Sequence, residues 1–261
     1  MTFGIADVSV IPMRREKSER SEMVSQLLFG ESYEVLEEED KWINIRLLHD
    51  DSCGWIGSQQ YKKVSENFVK DYLASDQLLL SEVFNLVIKE GDWKNKVIVS
   101  GSVLPFYDAY TNSLSVGDEK YVVKGFLREV GIESLRELLI QYALMYYNTP
   151  FRWGGRTPNG IDASALVQMA YRLVGISFPR YMEQQVKVGQ TLSFLEETQP
   201  GDLAFFGDSS DVITHVGILW EQGRIIHASG KVRIDKIDHH GLINEEMKRY
   251  THTLKVLKQV F

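Results

Sequence analysis

The chain has 261 residues, of which 44% are hydrophobic, with a formal net charge of −7 and a mean hydropathy of −0.19. These values predict a soluble globular protein of one to three domains. The acidic balance argues against nucleic acid or an anionic membrane as the main partner, because phosphate binding needs clustered Lys and Arg. A single cysteine, Cys53, excludes an internal disulfide framework and a cysteine-based metal cage.

The opening residues show no basic start, apolar core or cleavage-site pattern, and no later stretch approaches the roughly 18 apolar residues of a membrane span. We therefore expect a cytoplasmic protein without a membrane segment. No cofactor is expected, since no Gly-Lys-Ser/Thr follows Gly154-Gly155. No metal is expected either, because the spacing of His239 and His240 from Asp235 and Asp238 fits no ligand set.

Short strands with turns dominate the first part of the chain. They are predicted at residues 8–10, 26–29, 33–36, 42–47 and 55–56. Several alternate with period 2, and this spacing favours a small β-barrel over residues 1–64. Weaker strand patterns follow at residues 97–99, 101–107 and 121–123. They predict a second, diverged barrel over residues 65–130.

A third domain, residues 131–261, is predicted where the hydrophobic period changes to 3.6. Apolar side chains at that period predict helices over residues 133–148 and 164–174. Strand patterns then follow at residues 203–206, 216–220, 224–228 and 254–260. Helices followed by an antiparallel sheet make this an α+β domain.

Two histidines are predicted to lie side by side on this sheet. A hairpin centred on Gln222 pairs residue 217 with residue 227. His215 and His227 then share one face, roughly 7–8 Å apart at Cα, which suits a general base and the group that orients it. The second helix starts at position 163, where backbone N–H groups and the helix dipole would stabilise a thiolate. That position holds Ala163, which has no nucleophile.

The motifs of the third domain resemble those of the NlpC-type cell-wall cysteine peptidases. They stand here as Trp153-Gly154-Gly155, Asp162-Ala163-Ser164, His215-Val216-Gly217 and Ile226-His227-Ala228. The first sixty residues are similar to a bacterial SH3-like (SH3b) domain, with Pro12-Met13-Arg14, Ser21-Glu22, Lys41-Trp42 and Gly54-Trp55-Ile56 in register. The resemblance implies a papain-like fold, helices packed on an antiparallel sheet, preceded by one or two SH3b-like barrels. It lies close to the γ-D-glutamyl-L-diamino-acid endopeptidases of peptidoglycan recycling.

The resemblance also implies catalytic roles. His215 matches the general base, His227 matches its orienting residue, and Ala163 stands where the nucleophilic Cys should be. Ser164 and the backbone N–H groups near position 163 would form the oxyanion-binding shell. Asp162 is expected to cap the helix and could also orient the site or bind substrate.

The remaining candidates concern substrate contacts. Trp153 could line a binding groove, although aromatic residues beside glycines often only pack. Relatives usually carry Asp directly after Pro179-Arg180, where it binds the substrate amine, and this chain has Tyr181. Relatives often carry Tyr two residues before the Gly-Trp pair of the SH3b domain, facing the same pocket, and this chain has Ser52.

These departures bear on the origin of Ala163. A Cys→Ala change made to trap a substrate would leave the other pocket residues intact, so losing the Asp and the Tyr as well favours a naturally inactive homologue. Such a protein would bind a muropeptide or a protein partner. The alternative is a γ-D-glutamyl-L-diamino-acid endopeptidase whose nucleophile has been replaced, and a third possibility is a purely structural partner of an active paralogue.

Overall fold

The chain divides into two units, Met1–Glu129 and Val130–Phe261. The computed structural model describes residues 1–125, 127, 134–208, 212–221 and 223–261. The unit boundary falls beside the predicted start of the third domain at residue 131.

An antiparallel sheet occupies the first part of unit 1. Its strands are β1 (Thr2–Ile5), β2 (Val10–Arg14), β3 (Met23–Leu28), β4 (Ser32–Glu38), β5 (Trp42–Leu47), β6 (Cys53–Gly57) and β7 (Lys62–Val64), with a 3-10 turn at Ser58–Gln60. They lie in the order β3-β2-β6-β5-β4-β1-β7. Period-2 burial is visible along β5, where Ile43, Ile45 and Leu47 are buried and Arg46 is exposed. This alternation fixes which face of the strand packs into the core.

The second part of unit 1 forms its own apolar cluster, which includes three residues of the first part and none of the buried residues of β5. Its elements are α1 (Glu66–Ala74), β8 (Leu78–Leu79), β9 (Phe84–Lys89), β10 (Asn95–Val99), β11 (Val103–Leu104), β12 (Ser113–Val116) and β13 (Glu119–Lys124). Four of these strands form a sheet in the order β10-β9-β13-β12, and β8 pairs with β11. Val87 and Tyr121 share one apolar cluster with Ile5, Phe29 and Val64. The division into two barrels after residue 64 stays a prediction, and helix α1 was not predicted.

Unit 2 has the predicted α+β order. Its elements are α2 (Leu135–Met145), β14 (Arg156–Thr157), β15 (Gly160–Ile161), α3 (Ala163–Leu173), α4 (Met182–Gln185), β16 (Gln190–Leu192), a 3-10 turn (Leu195–Glu197), β17 (Leu203–Gly207), β18 (Ile213–Leu219), β19 (Arg224–Ser229), β20 (Lys231–Ile237), β21 (Gly241–Asn244) and β22 (Arg249–Gln259). The sheet runs β16-β22-β17-β18-β19-β20-β21, and β21 also pairs with the first half of β22. The strands from β17 to β22 therefore close into a ring.

Helix α3 lies at the centre of unit 2. Its residues are buried along almost the whole length of the helix, and it packs against α2, β18 and β19. Both helices begin at side-chain caps: Ser134 forms a capping box with Glu137 on α2, and Asp162 caps α3. Helix α2 therefore starts two residues later than predicted, and residue 133 lies outside the described residues. Among the described helices, none has the length and apolar character needed to cross a membrane.

Candidate active site

The loop before α3 is shaped so that the helix begins at residue 163. A Cβ on Gly155 would lie 2.3 Å from the carbonyl oxygen of Gly160, so a larger residue does not fit there. Asp162 ends this loop, and its Oδ1 accepts the backbone N–H of Ala165 at 2.8 Å. Ala163 is the first residue of α3, as predicted, and is 4% exposed. A thiol here would lie at the positive end of the helix dipole, which favours its anion, whereas a methyl group carries no charge to stabilise.

A buried ionic cluster holds this helix start in place. Both Nη atoms of Arg180 donate to Asp162, to Oδ1 at 3.1 Å and to Oδ2 at 2.6 Å. Ser164 Oγ donates to Asp162 Oδ1 at 3.0 Å and accepts from Arg180 Nη1 at 2.9 Å. The N–H of Gly154 adds a further bond to Asp162 Oδ2 at 2.9 Å. The predicted capping role of Asp162 is therefore confirmed, and the Ser164 hydroxyl is engaged within the scaffold.

The two histidines meet on the sheet as their sequence positions predict. Residue 217 pairs with residue 227 across β18 and β19, while Gln222, the predicted centre of the turn, lies outside the described residues. His215 Nε2 lies 2.9 Å from His227 Nδ1, and the ring planes are nearly perpendicular at 87°. Both side chains are buried. This geometry allows His227 to orient His215.

An aspartate behind His227 was missed at the sequence level. Asp235 Oδ2 lies 3.0 Å from His227 Nε2, and Asp235 is fully buried. Arg233, paired with His227 across β19 and β20, donates to both oxygens of Asp235, from Nε at 2.7 Å and from Nη2 at 3.0 Å. The signal was available, because residues 231–235 alternate between charged and apolar side chains and so predict a strand with Arg233 and Asp235 on one face.

A third histidine covers the pair. His252, on β22, stacks on His215 with ring centroids 4.3 Å apart and an interplanar angle of 26°. Burial, helped by the neighbouring His227 and His252, holds the pKa of His215 well below its ordinary value. Burial also lowers the pKa of His227, although Asp235 acts in the opposite direction. Burial alone would raise the pKa of Asp235, but hydrogen bonds from His227 and Arg233 outweigh it and hold that pKa well below its ordinary range.

Comparison with known proteins now identifies the two parts of the chain. The model of the NlpC/P60 family matches residues 148–251, which include Ala163 and the histidine pair. The model of the bacterial dipeptidyl-peptidase Sh3 domain matches residues 13–60. The chain carries an NlpC/P60 domain and a bacterial SH3 domain.

Individual relatives agree with this assignment. Dipeptidyl-peptidase 6 of Lysinibacillus sphaericus is 27% identical over 253 residues, which cover 87% of this chain and 89% of that protein. The bifunctional muramidase/DL-endopeptidase CwlT of Bacillus subtilis (strain 168) is 37% identical over 128 residues, 44% of this chain and 39% of that protein. A crystal structure of an NlpC/P60 family protein from Bacillus cereus ATCC 10987 matches with a TM-score of 0.81 at 16% identity, covering 99% of both chains. That likeness shows a shared fold.

The residues predicted to contact substrate lie in both matched domains. Trp153 is in the loop before β14 and is 62% exposed. Tyr181 is half-buried at the start of α4, and its ring centre lies 5.8 Å from the guanidinium carbon of Arg180. Ser52 belongs to the bacterial SH3 domain, where it is buried just before β6 and its backbone N–H donates to Asp50 Oδ1 at 3.0 Å. Contact of these side chains with a substrate stays a prediction.

The hairpin between β20 and β21 gathers potential metal ligands. Asp238, His239 and His240 bring their ligand atoms within 4.8 Å of one another. Asp238 already accepts hydrogen bonds from the backbone of His240 and from the hydroxyl of Tyr250. Asp235, the other acidic residue considered with these histidines, binds His227 instead. The expectation that no metal binds here stays a prediction.

A cavity of about 720 Å³ lies towards the opposite end of β18 from His215. Its apolar lining comes from Ile140, Leu144, Leu195, Leu219 and Trp220. Its lining residues include neither Ala163 nor the histidine pair. It is therefore separate from the candidate active site.

Proposed function

We propose that this protein is a catalytically inactive NlpC/P60 homologue that binds a peptidoglycan-derived peptide. The observation that carries the proposal is Ala163 at the first residue of α3, in a domain whose His215 and His227 are in hydrogen-bond contact at 2.9 Å. A thiol peptidase needs a thiol at a helix start, a base and an orienting group. Here the base and the orienting group are assembled and the thiol is absent.

Ser164, the described residue next to Ala163, is not a substitute nucleophile. The Ser164 hydroxyl donates to Asp162 and accepts from Arg180, and the next residue along a helix points about 100° away. A hydroxyl also lacks the reactivity of a thiolate. Burial raises the pKa of the Cys53 thiol, which disfavours the thiolate.

A peptide ligand is supported by the names of the relatives. One is a dipeptidyl-peptidase and another a muramidase/DL-endopeptidase, and the resemblance of the motifs points to muropeptides with a free amino terminus. Tyr181 stands where such enzymes carry the Asp that binds this amine. A phenol cannot supply the negative charge, so the amine subsite is expected to bind more weakly here.

Calorimetric titration with L-Ala-γ-D-Glu-diaminopimelate tests the proposal, together with an assay for dipeptide release in the same sample. We expect saturable binding without release. The Tyr181→Asp variant should bind the free-amine peptide more tightly than the parent protein does, and N-acetylation of the peptide should cancel that gain. Dipeptide release by the protein as it stands would reject the inactive homologue. Absence of binding heat at two well-separated temperatures would reject the peptide ligand, because a binding enthalpy near zero at one temperature changes with temperature.

The second candidate function is a γ-D-glutamyl-L-diamino-acid endopeptidase whose nucleophile has been replaced. The assembled contacts from His215 through His227 to Asp235 favour it. The Ala163→Cys variant separates the two candidates in the same release assay. Turnover of the order of 1–10³ s⁻¹, typical of enzymes, would favour the replaced nucleophile. Weak or absent turnover despite a reactive thiol would favour an inherited loss that includes the amine subsite.

A further inference from the structure

We propose that Asp235, acting through His227, fixes His215 in the tautomer that carries its proton on Nε2 and leaves Nδ1 as the proton-accepting nitrogen. Asp235 is thus a positioning residue two hydrogen bonds away from the acceptor. This inference deepens the proposed function, since it concerns the same site. It does not depend on which ligand binds there.

The first step is the state of Asp235. Its two oxygens receive hydrogen bonds from Arg233 Nε at 2.7 Å, Arg233 Nη2 at 3.0 Å and the backbone N–H of Glu245 at 3.2 Å. These three groups can only donate. A carboxylate surrounded by such donors is an anion and offers only acceptor sites. His227 Nε2, 3.0 Å from Asp235 Oδ2, must therefore be a donor.

The second step is the charge of His227. Arg233 neutralises Asp235. Glu246, whose Oε2 lies 3.0 Å from Arg233 Nη1 on the more exposed side, has a further cation in Lys231, 3.8 Å away. His227 is fully buried, so a second cation beside this pair would lack both water and an unpaired counter-charge. The ring is then neutral, with its proton on Nε2 and a lone pair on Nδ1.

The third step passes the assignment to His215. His227 Nδ1 can only accept, so His215 Nε2, 2.9 Å away, must donate. The ring of His215 is buried and stacked on His252, which leaves it little freedom to rotate. As His215 is also neutral, Nδ1 carries its lone pair. In an Ala163→Cys protein this nitrogen would take the thiol proton, and in the present protein it can accept an N–H from a ligand.

Long-range ¹H–¹⁵N spectra of the imidazole rings of the full chain test the assignment directly, with signals assigned from His215→Phe and His227→Phe variants. We expect both rings to be protonated on Nε2. In Asp235→Asn the amide NH₂ is expected to take the Oδ2 position and face His227. The Oδ1 position faces two donors that cannot reverse, Arg233 Nη2 and Glu245 N–H, whereas the Oδ2 position faces one, Arg233 Nε, and a histidine ring that can change tautomer. Both histidines should then exchange their protonated and unprotonated nitrogen signals, a response analogous to the tautomer change on removing a triad aspartate in serine proteases.

Asp238→Asn is the matched control, since Asp238 lies in the turn after the same strand and bonds to Tyr250 rather than to a histidine of the pair. It should leave both tautomers unchanged. A parent protein with His215 protonated on Nδ1 would overturn the proposal, and so would a folded Asp235→Asn protein whose tautomers are unaltered. If circular dichroism shows that Asp235→Asn is unfolded, the tautomers of the parent protein decide alone. Peptide binding can succeed or fail independently of these spectra, so the two proposals are separately testable.

Discussion

The start of α3 and the histidine-bearing face of the sheet differ in the groups that they contain. On the sheet, His215, His227 and Asp235 form a continuous chain of hydrogen bonds backed by Arg233. At the start of α3, Asp162 caps the helix and is bound by Arg180, but the position expected for the reactive atom holds only the methyl group of Ala163.

A physical asymmetry accounts for this difference. Every member of the two networks is buried and hydrogen-bonded to another member, so removing one leaves an unsatisfied polar or charged group inside the protein. A thiol at position 163 is a weak hydrogen-bonding group, so its absence leaves at most one weak bond to His215 unmade. Its loss therefore costs little stability, whereas loss of Arg180 or Asp235 is costly even without catalysis. Retention of the networks alone does not show that the site is active.

The largest effect is expected from removing the ion pair between Arg180 and Asp162 at the start of α3. Arg180→Ala leaves the buried carboxylate of Asp162 without its cation, and we expect the free energy of unfolding to fall by about 3–5 kcal/mol. Urea denaturation of the variant and the parent measures this loss. Lys236→Ala is the control, because its ion pair with Glu245 is exposed and should be worth no more than about 1 kcal/mol. Equal losses of unfolding free energy in Arg180→Ala and Lys236→Ala would contradict the view that the buried networks are needed for stability.

A smaller effect is expected from the histidines on the sheet. His215, His227 and His252 have folded-state pKa values below their ordinary values, so the unfolded chain binds protons that the folded chain does not. Stability is therefore greatest above about pH 7 and decreases as the pH falls through about 6.5, by up to ~1.4 kcal/mol per pH unit for each ring. Asp235, whose pKa is lowered, contributes stability that is lost only as the pH falls below about 4.

His215→Gln tests this pH dependence. The variant should flatten the dependence of unfolding free energy on pH between about 7 and 5 by up to one ring's share, or ~1.4 kcal/mol per pH unit. His239→Gln, at an exposed position in the turn between β20 and β21, is the control and should keep the parent slope. If His215→Gln leaves the slope of unfolding free energy against pH unchanged, burial does not lower the pKa of His215.

The smallest effect on stability is expected from Ala163→Cys. The change adds one heavy atom and breaks no hydrogen bond, so unfolding free energy should change by less than about 1 kcal/mol. Alkylation of the new thiol at neutral pH should nevertheless be faster than that of Cys53, whose pKa is raised by burial. Mass spectrometry of the two peptides gives both rates in one sample. Slower alkylation of the thiol introduced at position 163 would show that the helix start and His215 do not activate it.

Sequence patterns were sufficient for the parts of the site that depend on local rules. The helix start at Ala163 follows from a glycine-rich loop and an Asp cap, and the contact of His215 with His227 follows from strand pairing around one turn. Asp235 was missed because strand β20 was not predicted, although residues 231–235 alternate between charged and apolar side chains. The role of Arg180 could not be predicted, since helix α3 and the loop after it separate Arg180 from Asp162 by 18 residues in the sequence.

The fold shows the same limit. The short strands of the first sheet in unit 1 and the α+β order of unit 2 follow from periodicity in the sequence. Helix α1 was missed because it lies in a segment with weak strand patterns. Closure of the second sheet through β21 and β22 depends on pairing between strands whose order in space a single sequence does not specify. Long-range pairing, rather than local propensity, separates what was predicted from what was not.

The most direct test of the account measures binding and cleavage of L-Ala-γ-D-Glu-diaminopimelate in one sample of the unaltered protein. With the networks assembled and no nucleophile at position 163, the account predicts saturable binding and no release of the L-Ala-γ-D-Glu dipeptide. Release of that dipeptide, abolished by His215→Ala, would contradict it and show that the site carries out hydrolysis without a thiol.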